Sequence, residues 1–482
     1  MLEVSISNIL KEEYQLEGAL TPLAGELDLN FKCTSTDGAI FIIKIAHQSA
    51  STSEIAFQEA LLLYIEKQQL SFKYPRLIKN KNDQYLSVLS NGTEQRVLRV
   101  MSWIDGRLWA VVNPKLEVLR KGLGAHCGHL TRVLEGFTHP YASRVLQWDI
   151  AQGLWIKDYI TLFTKAQLVL ILPFIKAFEK QELAYKELPK GVVHNDANDY
   201  NIIVSKTLIN PKVIGIIDYG DACYTQIIND LAIACTYGIM HTEDPLQAAL
   251  SIVASYHKAY ELTEASLAHL HTAIGMRLSI SLTKAAINKK EAPNNTYLYI
   301  SETPAWDLLK KWTAINSSFA HYAFRKACNF SAHPNLGAFK KWAIKEKLSL
   351  KTIFPNQNKT AVHQLDLSVE SLWVEHQAAF NNLNYFEYKI QSLQKEHPEE
   401  LIAGGYLEPR PLYTSEDYDK ASNQGPISRC IHMGIDFWLP EQTPVHSLFD
   451  GKIIISLDRK GAKEYGGFVV LEHKEGGLVF YS

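Results

Sequence analysis

Between two runs of β-branched residues the chain reads VVHNDANDYNIIV, crowding a histidine, aspartates and asparagines into positions 194–201. A tight polar turn needs fewer such groups. Spacing suggests a use for the surplus. Asn201 follows Asp196 by five residues, and Asp218 stands at the end of the next apolar run, KVIGIIDYGDA. Phosphoryl transfer to a hydroxyl requires a carboxylate that orients the acceptor and takes its proton, plus oxygen ligands that hold magnesium against the phosphates. Asp196 fits the first role; Asn201 and Asp218 fit the second. Upstream, Lys44 is the single charge in FIIKIA. A charge inside an apolar strand should be paired or should bind a ligand. Glu59 on the following helix is the expected partner, and nucleotide phosphates are the expected ligand.

These residues need elements to bring them together. Residues 20–104 predict strands with one helix, SEIAFQEALLLYIEKQQ, capped by Ser53. The pattern turns helical from 112 to 186, gives short strands around the polar stretch, and is helical again from 224 to 348. Residues 350–400 are mixed, with an amphipathic helical stretch near 368–396. Residues 404–426, rich in Gly, Pro and polar groups, read as a linker, and short alternating strands follow. A β-rich unit ahead of a helical unit would leave a cleft between them. The expected boundaries are 1–104, 105–348, 349–424 and 425–482.

Composition narrows the function classes. Length alone suggests roughly three domains. Apolar content of 46% and charged content of 21% are those of a globular protein, and the net charge of −2 disfavours a general nucleic-acid or acidic-membrane binder. Six scattered cysteines without a CxxC pair fit a reducing compartment. LVLILPFI, the longest strongly apolar run, is too short to span a bilayer. The N-terminus lacks a basic signal-peptide region. The expectation is a cytoplasmic protein with no membrane or nucleic-acid partner.

HNDANDYN followed by IIDYGDACYTQIINDLAIA resembles the aminoglycoside phosphotransferase/choline kinase-like family. LAGELDLNFKC resembles that family's nucleotide-covering loop and VMSWIDGR its hinge. LQWDIA and MRLSISLTKAA resemble the hydroxylysine kinase-like branch, so the likeness spans about 15–330. It implies an α+β, two-lobed protein-kinase-like fold with a β-rich N-lobe and a helical C-lobe. The implied reaction moves the γ-phosphate of ATP or GTP, with magnesium, onto a small hydroxylated amine such as hydroxylysine, ethanolamine, homoserine or an aminoglycoside. By this resemblance Asp196 is catalytic, Asn201 and Asp218 bind magnesium, and Lys44 binds phosphate. His194 braces the loop, and Met101 and Trp103 meet the base through their backbone. Asn195 stands where glycine is common, and Tyr219 replaces the usual Phe.

Blander readings compete at other positions. Asp230 reads as a cap or a loop brace. Asp149, Asp199 and Asp221 are candidate substrate contacts, with a helix cap the competing role for Asp149. His126, Cys127 and His129 suggest metal, but no fourth ligand lies near, so ordinary helix histidines are expected.

The tail, IHMGIDFWLPEQTPVHSLFDGKIIISLD, resembles the start of a lysostaphin-like zinc peptidase domain over about 425–482. His432 and Asp436 would be a vestigial zinc half-site in a partial all-β domain. The later Tyr-x-His and His-x-His segments of that family are not in this sequence, so zinc is expected only in a complete domain. The order of the two resemblances is similar to fusion proteins that continue into a pyridoxal-phosphate aminotransferase-like domain, which this resemblance would make a covalent or associated partner. The alternatives to a small-molecule kinase are an incomplete metallopeptidase and a nucleotide-binding pseudokinase.

Overall fold

A computed structural model describes residues 2–482 apart from 69, 92–93, 374, 376–381, 412–417, 423–424, 429 and 461–464. The chain divides into two compact units, Met1–Ala332 and His333–Ser482.

The first unit begins with α1 (Leu2–Tyr14), followed by β1 (Gly18–Leu23), β2 (Leu29–Ser35) and β3 (Ile40–Ile45). Then come α2 (Thr52–Lys67), β4 (Leu86–Asn91) and β5 (Glu94–Ser102). The strands form an antiparallel sheet in the order β1-β2-β3-β5-β4. Period-2 alternation decides its faces. Phe31, Cys33, Ile43, Ile45, Leu98 and Val100 point to one side and pack on Ile6, Leu10 and Tyr14 of α1. Ile42 and Met101 meet Phe57, Leu61 and Ile65 of α2 on the other. The cap of α2 is Ser51, whose hydroxyl accepts from the Glu54 N–H at 3.1 Å, and not Ser53. Which face of α2 meets the cleft is set by the packing of Phe57, Leu61 and Ile65, and that matters at the site below.

β6 (Arg107–Leu108) leads into α3 (Glu117–Leu134) and α4 (Lys165–Lys186). A capping box starts α4, with Thr164 and Gln167 satisfying each other's backbone donors. The apolar run at Leu168 lies in α4, where Ile171, Phe174, Ile175 and Phe178 enter the core. Among the described residues, no helix is long and apolar enough to cross a membrane. β7 (Lys190–Val193), β8 (Ile202–Val204), β9 (Val213–Ile216) and β10 (Cys223–Gln226) make two small sheets, β10-β7 and β6-β8-β9. α5 (Ile228–Gly238), α6 (Pro245–Ala259), α7 (Glu264–Glu291), α8 (Glu302–Thr313) and α9 (Ser317–Ala327) complete the unit.

α3 and α6 lie backbone to backbone. A Cβ on Gly124 would stand 2.1 Å from the Ile252 carbonyl oxygen, and one on Gly128 2.7 Å from that of Tyr256. This crossing explains the GAHCGH stretch. Cys127 is buried in the core, and His126 Nδ1 bonds the Gly122 carbonyl one turn back. They are helix residues, as the sequence reading preferred.

The second unit departs from expectation. α10 (Leu336–Ala343) was expected inside the helical lobe that ends at 348, yet it packs with the tail. Phe339 meets Phe480 edge to face and Trp342 packs at a tilt on Phe449, at ring distances of 5.4 and 5.1 Å. After the short α11 (Leu350–Ile353), the segment read as mixed and linker contains a βαβ unit. β11 (Ala361–Leu365) runs parallel to β12 (Glu400–Gly404), with α12 (Leu383–Glu396) between them. Leu365, Leu367, Ile390, Leu393 and Ile402 form its core. The helical stretch expected over 368–396 is realised in its second half; 374 and 376–381 lie outside the described residues. The Gly and Pro residues of the supposed linker delimit short strands: β13 (Glu408–Pro409), β14 (Asp419–Ser422) and β15 (Gly425–Ser428). β16 (Ile431–His432) and β17 (Phe437–Trp438) follow, and β17 joins the β11-β12 sheet. A separate sheet holds β18 (Gly451–Arg459), β19 (Gly466–Glu475) and β20 (Leu478–Tyr481). β18 is an edge strand exposed along its length, Ile453, Ile454, Ile455 and Leu457 included.

Candidate active site

The β7–β8 loop is bent by Asn195, whose φ of +63° lies in the left-handed region that asparagine tolerates better than most residues. Asp230 of α5 accepts the Asn195 N–H at 3.0 Å and fixes that bend. Burial pushes the Asp230 carboxyl up to about 6. His194 braces the same loop from the other side. Its Nδ1 accepts from the Asp196 N–H at 3.2 Å, so Nε2 carries the proton toward the Ile217 carbonyl oxygen at 3.0 Å. Burial pulls its pKa down to about 4, which keeps the ring neutral and this tautomer in place.

Asp196 therefore projects in one direction. Arg277 Nη2 donates to its Oδ1 at 2.8 Å, and Asn198 and Asn201 donate to its Oδ2 at 2.9 and 2.7 Å. A carboxylate offers about four lone-pair positions, so these three bonds leave one. Burial pushes the Asp196 carboxyl well above the usual range; Arg277 opposes that, and Asp221 and Asp218 add to it. Asn201 spends its amide N–H groups on the Asp196 carboxylate and on the Asp196 carbonyl at 3.0 Å, leaving its Oδ1 as a ligand atom.

Asp218 follows β9 and also has a left-handed backbone, φ +61°. Its Oδ1 receives Lys44 Nζ at 2.9 Å and the Gly220 N–H at 3.2 Å. Lys44 holds its carboxyl down at about 2 against the effect of burial. Lys44 itself faces Arg99 across the β3–β5 pair. Two cations opposite one another repel, and Asp28 bridges them, 3.6 Å from Lys44 and 3.7 Å from Arg99. Burial works against the lysine's charge, but Asp218 and Asp28 together raise its pKa.

Glu59 is not the partner of Lys44. Gln58 accepts from Arg99 Nη1 at 2.6 Å, and the helix carboxylate that reaches the cleft is Glu54. Glu54 lies 3.8 Å from both Arg144 and His47. Asp149, read as a candidate substrate contact, does not line the cleft. Its Oδ1 caps a 3-10 helix at the Ala151 N–H, 3.0 Å away, and accepts from the buried Thr225 and Asn229 at 2.9 and 3.1 Å. The neighbouring Trp148 lines the cleft instead.

Lys44, Asp196, Asn201 and Asp218 share one cavity of about 420 Å³. The β1–β2 loop, Ala24 to Asp28, lines it from the N-lobe, as expected of LAGELDLNFKC. Asp199 and Asp221 line it too, and burial lifts both carboxyls. Asp199 reaches about 6, and its Oδ1 is buried without a protein partner. Met101 is the penultimate residue of β5 and pairs with Ile42 of β3; Trp103 lies beneath Lys32 Nζ, 5.4 Å away. Neither is part of the cavity lining.

Arg277 was not singled out from the sequence, although GMRLSI offered the same signal as FIIKIA: one charge in an apolar run. It is buried on α7 between Trp148 and Tyr237, and donates to the Trp148 carbonyl at 2.8 Å as well as to Asp196. Arg144 was missed as well. It donates to the Gly220 and Ala222 carbonyls and so clamps the turn after Asp218.

The His432–Asp436 pair sits in the second unit. His432 Nε2 lies 3.3 Å from Asp436 Oδ1, and Arg410 Nη1 holds Oδ2 at 2.6 Å. Residues 433–436 form a loop between β16 and β17, not the continuous strand expected. Among the described residues, no third His, Cys, Asp or Glu completes a metal-holding group with them.

A sequence profile described as "phosphotransferase enzyme family" matches residues 19–265, over half of the chain. The hydroxylysine kinase of Mus musculus is 25% identical over 317 residues, covering 61% of this chain and 84% of that protein. That of Xenopus laevis is 24% identical over 315 residues, covering 60% and 84%. A solved microcompartment-associated aminopropanol kinase aligns at TM-score 0.48 and 16% identity, covering 67% of this chain and 98% of its own. With its catalytic-loop geometry and this span of matched sequence, the chain belongs to the phosphotransferase enzyme family, and it is a kinase that phosphorylates an alcohol group.

Proposed function

We infer that the enzyme transfers the γ-phosphate of ATP or GTP to the hydroxyl of a hydroxylated amino acid. The observation that carries this is the convergence of Lys44, Asp196, Asn201 and Asp218 on one cavity. The donor set suits magnesium: the free Asn201 Oδ1 and the second oxygen of Asp218 are hard oxygen ligands. Bound there with the nucleotide, magnesium would neutralise phosphate charge. Lys44, already cationic, meets the phosphates from the β3 side.

Asp196 uses its remaining lone pair to accept the acceptor's hydroxyl hydrogen. As that oxygen bonds to the γ-phosphorus, the bond from phosphorus to the β–γ bridging oxygen breaks. The proton goes to Asp196, and the nucleoside diphosphate leaves. A carboxyl raised by burial suits this task, since proton transfer is best served by a group titrating near the working pH.

The lining also speaks to the acceptor. Asp199, Asp221 and Glu302 stand with Trp148, Tyr237, Tyr297 and Tyr299, a set that suits an ammonium through charge and aromatic faces. Lys284 is on the same wall, its Nζ bonded to Gln147 at 2.6 Å. Acids and a lysine in one cavity suit a zwitterion better than a simple amino alcohol. The hydroxylysine kinases among the relatives point the same way. The test is nucleotide turnover across hydroxylysine, homoserine, ethanolamine, choline and aminoglycosides, with Asp196→Asn as control. Turnover confined to ethanolamine or choline would refute the amino-acid assignment. Nucleotide binding without turnover on any acceptor would make the protein a pseudokinase.

A further inference from the structure

His363, His397 and Glu400 bring two imidazoles and a carboxylate together in the second unit, outside every site described above. Their ligand atoms all lie within 4.8 Å of one another. His397 Nδ1 is 2.8 Å and His363 Nδ1 3.6 Å from Glu400 Oε2. The two rings lie against each other at a tilt of 32°, 3.7 Å between centroids. We propose that His363, His397 and Glu400 form a binding site for a divalent transition metal, zinc being the best fit.

Three features of the fold support it. First, the ligands come from anchored positions: His363 from the middle of β11, His397 from the C-cap of α12, and Glu400 from the first residue of β12. β11 and β12 are hydrogen-bonded neighbours, and the Glu400 N–H donates to the His397 carbonyl at 3.2 Å, so the backbone sets the spacing. Second, each side chain is about a third exposed, which leaves an entry path and an open position for water. Third, the charge is suitable. Two neutral imidazoles and one carboxylate leave a divalent ion with a single net positive charge. The neighbouring cation, Lys359, directs its Nζ to the Glu400 backbone carbonyl and not to its carboxylate.

The donor types also choose the metal. Two nitrogens and one oxygen favour zinc, cobalt or nickel, and three protein ligands plus water are the usual catalytic-type zinc arrangement. The all-oxygen set in the kinase cleft favours magnesium. The chain would then hold two different metals in two units, and neither site needs the other. Binding would tie the C-terminus of α12 to both strands of the βαβ unit.

The experiment uses the untagged full-length chain, stripped with chelator and titrated with zinc sulfate, with bound zinc counted after gel filtration. One zinc per chain is expected. His363→Ala and His397→Ala should each weaken binding by about tenfold or more. Glu400→Gln keeps an acceptor for the His397 ring and so the local fold, and should weaken binding similarly. His432→Ala should keep the zinc. Cobalt(II) in place of zinc should show tetrahedral absorption bands that the His363 and His397 variants lose. No zinc uptake by the unaltered chain at about 100 μM metal overturns the proposal. So does stoichiometric zinc that survives in the His363→Ala, His397→Ala double variant, or that disappears in His432→Ala.

Discussion

Asp196 and Asp436 are each gripped by an arginine, Arg277 at 2.8 Å and Arg410 at 2.6 Å, but the consequences differ. Arg277 is held by the Trp148 carbonyl and two aromatic rings, and its second job is to neutralise Asp196 inside a cavity. Asp196 keeps a lone pair facing that cavity. Arg410 is shared with Glu408 at 2.7 Å, and the free oxygen of Asp436 is met by His432. That group closes on itself and ties β13, β16 and the loop before β17 together. An arginine–carboxylate pair thus says little about function by itself. What decides is whether the carboxylate keeps an unfilled position toward an enclosed space. The scaffolds differ in the same sense: the site in the first unit rests on a continuous apolar core, whereas the tail sheet leaves β18 bare.

Four predictions would break or sharpen that comparison. The largest effect is expected at Asp196→Asn, which removes the proton acceptor but keeps the shape. kcat should fall by about 10²–10⁴, the usual range for general-base catalysis. Affinity for magnesium–nucleotide, measured by calorimetry, should change little. Full turnover in this variant would show that the filled and unfilled carboxylates are not functionally different.

Arg277→Met ranks next. It leaves the partly buried Asp196 without its cation, and breaking a buried pair costs about 3–5 kcal/mol. Thermal denaturation should register the loss. The pH dependence separates positioning from mere support. Burial raises the Asp196 pKa, so the carboxyl is protonated and idle at low pH, and kcat/KM should climb as pH rises through that raised value. The acidic limb should therefore lie well above the ordinary aspartate value of about 4. Removing Arg277, which opposes the rise, should move the limb further up, and Arg277→Lys should bring part of it back. An unmoved limb would reduce Arg277 to a packing residue.

Asp218→Ala should act on binding more than on chemistry. It removes a metal ligand and one of the two carboxylates that hold Lys44 cationic. Weaker magnesium–nucleotide binding is expected, by about tenfold or more given the loss of a charged ligand. Unchanged affinity would refute the metal role.

Much of this site was legible because its signals are local. His194, Asp196 and Asn201 fall in one loop, and the run before Asp218 is unmistakably a strand. Lys44 was found by being a charge in an apolar run. What escaped depended on packing between distant elements. Glu59 and Glu54 stand five residues apart on α2, and which of them faces the cleft is decided by the packing of Phe57 and Leu61 against the C-lobe. Asp149 has two readings from sequence, substrate contact and helix cap, and its bonds to Ala151, Thr225 and Asn229 realise the cap while Trp148 beside it lines the cleft. The boundary at 348 failed because α10 has an ordinary amphipathic pattern, and only its aromatic contacts with Phe449 and Phe480 reveal which core it serves. The βαβ unit hid behind glycines and prolines that delimit very short strands.

The smallest effect is expected at Asp436→Asn, and its smallness is informative. The substitution weakens the ion pair with Arg410 but keeps hydrogen-bonding atoms in place, and Asp436 is 38% exposed, where solvent screens charge. A stability loss of about 1 kcal/mol or less is expected by denaturant titration. Kinase kcat/KM should stay within about twofold, since Asp436 belongs to the other compact unit and its partners Arg410 and His432 lie in that unit too. If phosphoryl transfer instead fell as it does at Asp196→Asn, the self-satisfied pair of the second unit would be coupled to the open one of the first, and the distinction between them would not hold.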